Sequence, residues 1–284
     1  MARRLLVPGL VLCGLLAAAF AVAALLPPTA SSAPPTRPKP VASPTAPAAP
    51  AETAGPAGAP GPSSAPPTPA GSGGAGAPAP TAPVPLDLTR TLPPGSPLPG
   101  DELCAAAVKR SSWEPRPENG PANDRTPPAG WMQQPFEGFA PEAQTRIVSR
   151  IDGAFTGTTD EILQWAACKW GFDVDTVRAQ AFTESKWRMS YNGDGGARWG
   201  ILQIKPAAHP GTWPWARDST AYNVDYTLAR RRACYEGWSY DGAGSRGDLW
   251  GCIGMWYSGS YGSGYGDYVA TVRHWYVTKP WKRW

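Results

Sequence analysis

Proline and tryptophan divide this chain into two unlike halves. Of its 35 prolines, 23 fall between Pro27 and Gly100, a stretch with no tryptophan or tyrosine, while all 14 tryptophans lie between Trp113 and Trp284. The proline-rich stretch is otherwise mostly Ala, Gly, Ser and Thr. It offers too little apolar surface to offset the entropy of ordering it. Residues 27–100 are therefore expected to form a disordered linker, extended and semi-rigid rather than collapsed. Its expected role is to hold a domain away from a membrane; a proline-rich ligand is the alternative. Only the second half can build a core, and roughly 180 residues suffice for one domain.

Charge removes one class of partner. The whole chain carries a formal +4, but from Asp101 onward 21 Lys/Arg face 20 Asp/Glu. A nearly neutral domain has no general electrostatic pull toward nucleic acid, so no nucleic-acid partner is expected.

The N-terminus reads as an export signal. Met1–Arg4 is short and basic, and an apolar run follows from Leu5 to Leu26. Arg3 and Arg4 favour the cytoplasmic side, which sends the rest of the chain across. Ala21-Val22-Ala23 offers a small-x-small cleavage site, yet the run is also long enough to span a bilayer, for which about 20 residues suffice. Residues 1–26 are thus a signal peptide or a signal anchor, and the only expected membrane contact. Leu12 before Cys13 speaks against a lipoprotein site. The expected location is outside the cell, secreted or membrane-anchored by this segment.

Four cysteines remain beyond that segment, and an even count in an exported chain favours two disulfides, with three connectivities open. The short-loop pairing Cys234–Cys252 is preferred, which leaves Cys104–Cys168. No CxxC pair occurs, and His209 and His274 stand alone, so neither a zinc site nor any cofactor is expected.

Periodicity in the second half is mainly helical. Thr158-Thr159-Asp160-Glu161 is a capping-box start, followed by Ile162, Trp165, Ala166 and Trp170 at helical spacing and a stop at Gly171. A second helix starts near Asp173 or Asp175, and a third near Ser219-Thr220. The third ends in Arg230-Arg231-Arg232 and Gly237, where basic residues suit the helix dipole; a substrate-binding patch is the alternative. Shorter helices are expected over 248–257 and 267–277. A Gly-rich turn, Asn192-Gly193-Asp194-Gly195-Gly196, leads into a short strand or hairpin over 199–204. The fold class is α+β and helix-dominated, with an irregular extension over 101–157 and the principal domain over 158–284.

Val177, Ala181 and Glu184 fall at i, i+4 and i+7, which puts a carboxylate on the apolar stripe of the second helix. Desolvation and the carbonyl end of the helix both disfavour its charged form. A raised pKa is what a general acid working near neutral pH requires. The spacing equally allows a glutamate turned sideways at a helix end, or one paired with a buried arginine.

The surrounding blocks add a resemblance. Glu184-Ser185-Lys186-Trp187 and Gly200-Ile201-Leu202-Gln203-Ile204 resemble the Glu-Ser-x-aromatic and Gly-Leu-Met-Gln-Ile blocks of soluble lytic transglycosylases and goose-type lysozymes. Trp256-Tyr257-Ser258-Gly259 falls where that family carries aromatic-Asn-x-Gly. From about Thr158 to Trp284 the chain looks like the lysozyme-like domain of secreted actinobacterial cell-wall enzymes. The resemblance implies a lysozyme-like domain that cleaves the β-1,4 MurNAc–GlcNAc bond of peptidoglycan, leaving 1,6-anhydro ends. It makes Glu184 the single catalytic acid. Ser185 would orient that acid or the incoming sugar, Gly200 and Ile201 would border the glycan, and Gln203 would offer an amide to an N-acetyl group. Trp256 and Tyr257 would form a flat wall for a sugar face. Glycan strands are the expected partner of a monomer.

Two departures bear on the substrate contacts. One residue more than usual separates Gly196 from Gly200, and Tyr257 replaces the family's asparagine. An inverting hydrolase would instead need a second carboxylate about 6.5–9.5 Å away. Asp194 is the candidate, though Asn-Gly-Asp-Gly also suits a plain turn. A non-catalytic wall-binding module is the third reading. Of the aromatics, Trp199, Trp213, Trp215, Trp250, Trp256 and the Tyr-Gly-Ser run over 257–265, most are expected in the core and two or three in a sugar groove. The glycines of 259–266 are expected at the groove's edge.

Overall fold

The computed structural model describes residues 86–240, 242–262 and 264–284, the side chains of Gly242 and Ala243 excepted. The export segment 1–26, Cys13 and residues 27–85 of the expected linker lie outside these. Among the described residues no helix is long and apolar enough to cross a membrane.

Three short helices come first: α1 (Asp101–Ala107), α2 (Gly120–Asn123) and α3 (Pro141–Arg146). The extension over 101–157 is therefore not wholly irregular. The linker boundary at Gly100 also needs correction, because residues 86–100 form a strap on the folded body. Leu86, Leu88 and Leu98 pack against the core, apolar surface that the average composition of the stretch conceals. The Leu92 N–H donates to Gly171 O at 2.8 Å, and the Val174 N–H to Leu88 O at 2.9 Å.

The first long helix, α4 (Thr159–Trp170), begins at the expected capping box, in which the Thr158 hydroxyl and the Glu161 carboxylate each accept a backbone N–H. It stops at Gly171, whose φ of +65° puts it in the left-handed region, while Leu92 would lie 2.9 Å from any Cβ there. Both facts require glycine. Helix α5 (Val174–Ser185) is capped by the Asp173 carboxylate, which accepts the Asp175 N–H. Two two-residue strands follow, β1 (Asn192–Gly193) and β2 (Arg198–Trp199), antiparallel with Asn192 opposite Trp199 and Gly193 opposite Arg198. The strand or hairpin expected over 199–204 takes the hairpin-like form, a tight turn closed by one antiparallel bridge. Trp199 and Ile204 exchange backbone hydrogen bonds at 2.8 and 2.9 Å and close a loop on themselves.

Helix α6 (Trp215–Asp218) leads to α7 (Thr220–Tyr235), capped by the Ser219 hydroxyl; α8 (Leu249–Ser258), capped by Asp248, and α9 (Gly266–Thr278) complete the set. Helix α4 packs on α7 and α5 on α9, while α8 touches both α7 and α9. The class is thus helix-dominated α+β, with Trp165, Trp170, Trp187, Tyr222 and Tyr226 fully buried.

Polar groups also cross this core. The buried Lys169 ammonium of α4 meets Asp225 of α7 at 3.1 Å and Asp152 at 2.8 Å. Burial opposes its charge, but the three aspartates Asp225, Asp152 and Asp101 outweigh burial and hold it above the ordinary lysine range. Both expected disulfides are present. Cys104–Cys168 ties α1 to α4, and Cys234–Cys252 ties α7 to α8, with Cα atoms 5.5 and 5.7 Å apart.

Candidate active site

The last turn of α5 carries Glu184, and the helix it packs against supplies the partner. The Tyr268 hydroxyl on α9 donates to Glu184 Oε1 at 2.5 Å. The Glu184 side chain is half-buried, and its pKa is pushed up to about 7. Burial raises it, opposed by the Tyr268 hydrogen bond and the positive charge of Arg198. Of the two causes expected from the sequence, desolvation is the one that acts.

Behind Tyr268 the polar chain continues. Gln180 Nε2, one turn before Glu184, donates to the Tyr268 hydroxyl at 3.3 Å. The Arg231 Nη1 of α7 in turn donates to Gln180 Oε1 at 3.0 Å. Arg231 is fully buried, its guanidinium 4.2 Å from the centre of the Phe172 ring, and burial lowers its pKa to about 9. Its neighbours face elsewhere. Arg232 is buried against Glu236 at 2.5 Å and donates to Leu92 O and Pro93 O of the strap, while Arg230 covers the faces of Phe136 and Phe139. Arg232 lies in the last turn of α7, as the helix-dipole reading expects, and the three side chains divide: one reaches the acid's partners, one the strap and one the surface groove.

That groove encloses about 610 Å³. Its lining includes Arg198, Gln203, His209, Arg230, Trp256 and Tyr257. Glu184 is not in the lining. Its links to the groove are indirect: Arg198 in the lining acts on it by its charge, and Tyr257 stacks on its partner Tyr268 with ring centroids 4.8 Å apart. Trp256 is the one tryptophan in this lining; its Nε1 donates to Leu202 O at 2.9 Å, and its ring stacks on His209. Burial, with help from Arg230, lowers the His209 pKa to about 3, so the imidazole is neutral at working pH. Ser258 and Gly259, from the start of the Gly-rich stretch, also line the groove. No group of three His, Cys, Asp or Glu suited to a metal ion occurs among the described residues.

Several residues expected to touch substrate do other work. Ser185 is buried, and its hydroxyl donates to Ile201 O at 2.9 Å, fastening the end of α5 to the turn after β2. Ile201 is a fully buried core residue. Gly200 makes room for protein rather than glycan: at φ +81°, a Cβ would lie 2.3 Å from Asn223 Nδ2 and 2.7 Å from Ala216 O. Gln203 reaches the groove, yet its amide donates to Tyr191 O and Gly200 O at 3.0 and 2.7 Å. Asp194 is exposed and its carboxylate is paired with Arg198 at 2.6 Å, a turn residue neutralised by its neighbour. Trp256 and Tyr257 do lie on the groove.

Tyr268, Arg198 and Gln180 were not singled out by the sequence, and Arg231 was named only within the arginine run. Gln180 had a signal, four residues before Glu184 on one helical face. Tyr268 and Arg198 come from separate elements and had none. A further signature is backbone strain. Five described non-glycine residues have positive φ, and four of them, Lys186, Trp187, Asp194 and Gln203, lie between the end of α5 and the turn after β2. Each costs of order 1–3 kcal/mol, a kind of strain that clusters at functional sites.

Compared with known proteins, the chain matches no family model, no curated protein and no solved structure.

Proposed function

We propose that this protein is an exported cell-wall enzyme that cleaves the β-1,4 MurNAc–GlcNAc bond of peptidoglycan, acting as a lytic transglycosylase with a lysozyme-like domain. The observation that carries the reading is Glu184, a carboxyl raised to about 7, held by Tyr268 and linked through Arg198 to a groove with an aromatic and cationic lining. At neutral pH such a group is divided between acid and base forms, as a residue that must serve as both requires.

The protonated Glu184 gives its proton to the bridging oxygen. The bond from muramoyl C1 to that oxygen breaks, and the departing sugar leaves with a 4-hydroxyl. Glu184, now a carboxylate, takes the proton of the muramoyl 6-hydroxyl as O6 bonds to C1. The acid is regenerated and the new end is a 1,6-anhydro sugar. The ion pair of Asp194 with Arg198 at 2.6 Å occupies the carboxylate that a hydrolase would need, which supports this one-carboxylate route. The two disulfides support an oxidising destination outside the cytosol.

A zymogram with wild type and Glu184→Gln tests the assignment, followed by mass spectrometry of the released fragments. Clearing by wild type alone, with 1,6-anhydro-muramoyl ends, is expected. Equal clearing by both proteins overturns the role of Glu184. Clearing by neither supports a binding module, and ordinary reducing ends turn the assignment to a hydrolase.

A further inference from the structure

Arg231, Gln180, Tyr268 and Glu184 stand in a line of three hydrogen bonds, 3.0, 3.3 and 2.5 Å long, that runs from α7 through α5 and α9 to the carboxylate. Three of the four could reverse their roles. An amide can flip, a hydroxyl can turn, and a carboxyl can hold a proton on either oxygen. Arginine cannot, because a guanidinium only donates.

We propose that Arg231 is a positioning residue that fixes the direction of this chain, so that Tyr268 always presents its proton to Glu184 Oε1 and the transferable proton of Glu184 is favoured on Oε2. The steps follow in order. Arg231 donates to Gln180 Oε1, which commits the amide oxygen. The Gln180 NH₂ is thereby turned to Tyr268, whose oxygen must accept. The Tyr268 proton then has one acceptor left, Glu184 Oε1. In a protonated carboxyl the carbonyl oxygen is the better acceptor, so a fixed donor on Oε1 favours the acid proton on Oε2.

The burial of Arg231 is otherwise costly. Among the described residues it forms no ion pair within hydrogen-bond reach, and its Nε and Nη2 have no hydrogen-bond partner, leaving the Phe172 ring to face the charge and Asp173 to act on it from further away. A buried cation so weakly partnered is destabilising, which is understandable where its donor-only character is used.

This proposal rests on Glu184 being the acid, and its test is chosen to be read without turnover. Carbon-13-labelled glutamate side chains report the titration of Glu184 directly by NMR, with Glu184→Gln identifying its signal. The charged or titratable groups acting on Glu184 are Tyr268 and Arg198; those on Tyr268 are Glu184 and Arg231; those on Arg231 are Tyr268 and Asp173. In Arg231→Met the Gln180 amide is free to flip and offer its oxygen to Tyr268. Glu184 then loses its donor for part of the time, and its midpoint is expected to rise by up to about one unit. Arg231→Lys keeps a donor-only group and is expected to titrate near wild type. The double variant Arg231→Met/Gln180→Met leaves Tyr268 no acceptor but Glu184, and is expected to return the midpoint toward wild type. Equal midpoints in wild type and Arg231→Met overturn the proposal. So does a rise in Arg231→Lys as large as in Arg231→Met, or a double variant shifted as far as the single. Failure of wild type to cleave glycan overturns the proposed function and leaves this titration result standing.

Discussion

At the scale of single residues, the raised pKa of Glu184 ties proposed activity and stability to the same proton. The folded carboxyl titrates near 7, against an ordinary value of 4.5. Between those values the folded state holds a proton that the unfolded state has lost, so stability falls as pH rises through this window and levels off above it. The ceiling of this effect is roughly 3 kcal/mol. Glu184→Gln, which cannot ionise, is therefore expected to melt above wild type at pH 8 and close to it at pH 4.5, as thermal melts at the two pH values would report. Loss of the acid form also predicts wild-type cleavage declining above about pH 7. Tyr268 holds that limb down by donating to the carboxylate. Tyr268→Phe is expected to move it up by about one unit, read from the pH dependence of glycan cleavage. Glu184 itself was legible from its spacing and flanking blocks. The roles of Ser185 and Gly200 were not, because a small or hydroxyl residue that permits close approach does so equally for a sugar and for another segment of protein.

At the scale of elements, legibility followed distance along the chain. The starts of α4, α5, α7 and α8 rest on caps within three residues of the first turn, and Thr158, Asp173, Ser219 and Asp248 all sit where the sequence suggested. Over 199–204 the choice between strand and hairpin stayed open in the sequence, because the tight turn is pinned from elsewhere in the chain, by the Asn223 amide, which donates to Trp199 O at 2.9 Å. The Tyr268–Glu184 contact spans 84 residues and joins two helices whose individual patterns carry no trace of each other. Disulfides sit between these cases, since their pairing follows from count and loop length. The Cys234–Cys252 bridge closes a separation of 18 residues. Replacing both cysteines with serine is expected to cost about 3 kcal/mol, measured by urea unfolding in oxidising buffer.

At the scale of the whole molecule, the folded body reaches further toward the N-terminus than composition implies. A proline-rich average over 27–100 masked three leucines and a set of backbone hydrogen bonds that belong to the fold. A chain begun at Asp101 is expected to unfold at lower denaturant than one begun at Leu86, because it would strip Arg232 of two carbonyl partners and expose apolar surface on α4. Equal midpoints would return the boundary to Gly100. The strap also gives the molecule a mechanical character. Tension drawn along the chain from its N-terminal side reaches the Leu88–Val174 bond first, on the opening turn of the helix that bears Glu184, and the Leu92–Gly171 bond next. It then meets Cys104, covalently fastened to α4. Peeling stops at that bridge. The disulfide acts as a brake, which limits what a pull from the N-terminal side can undo to the strap and the first turn of α1.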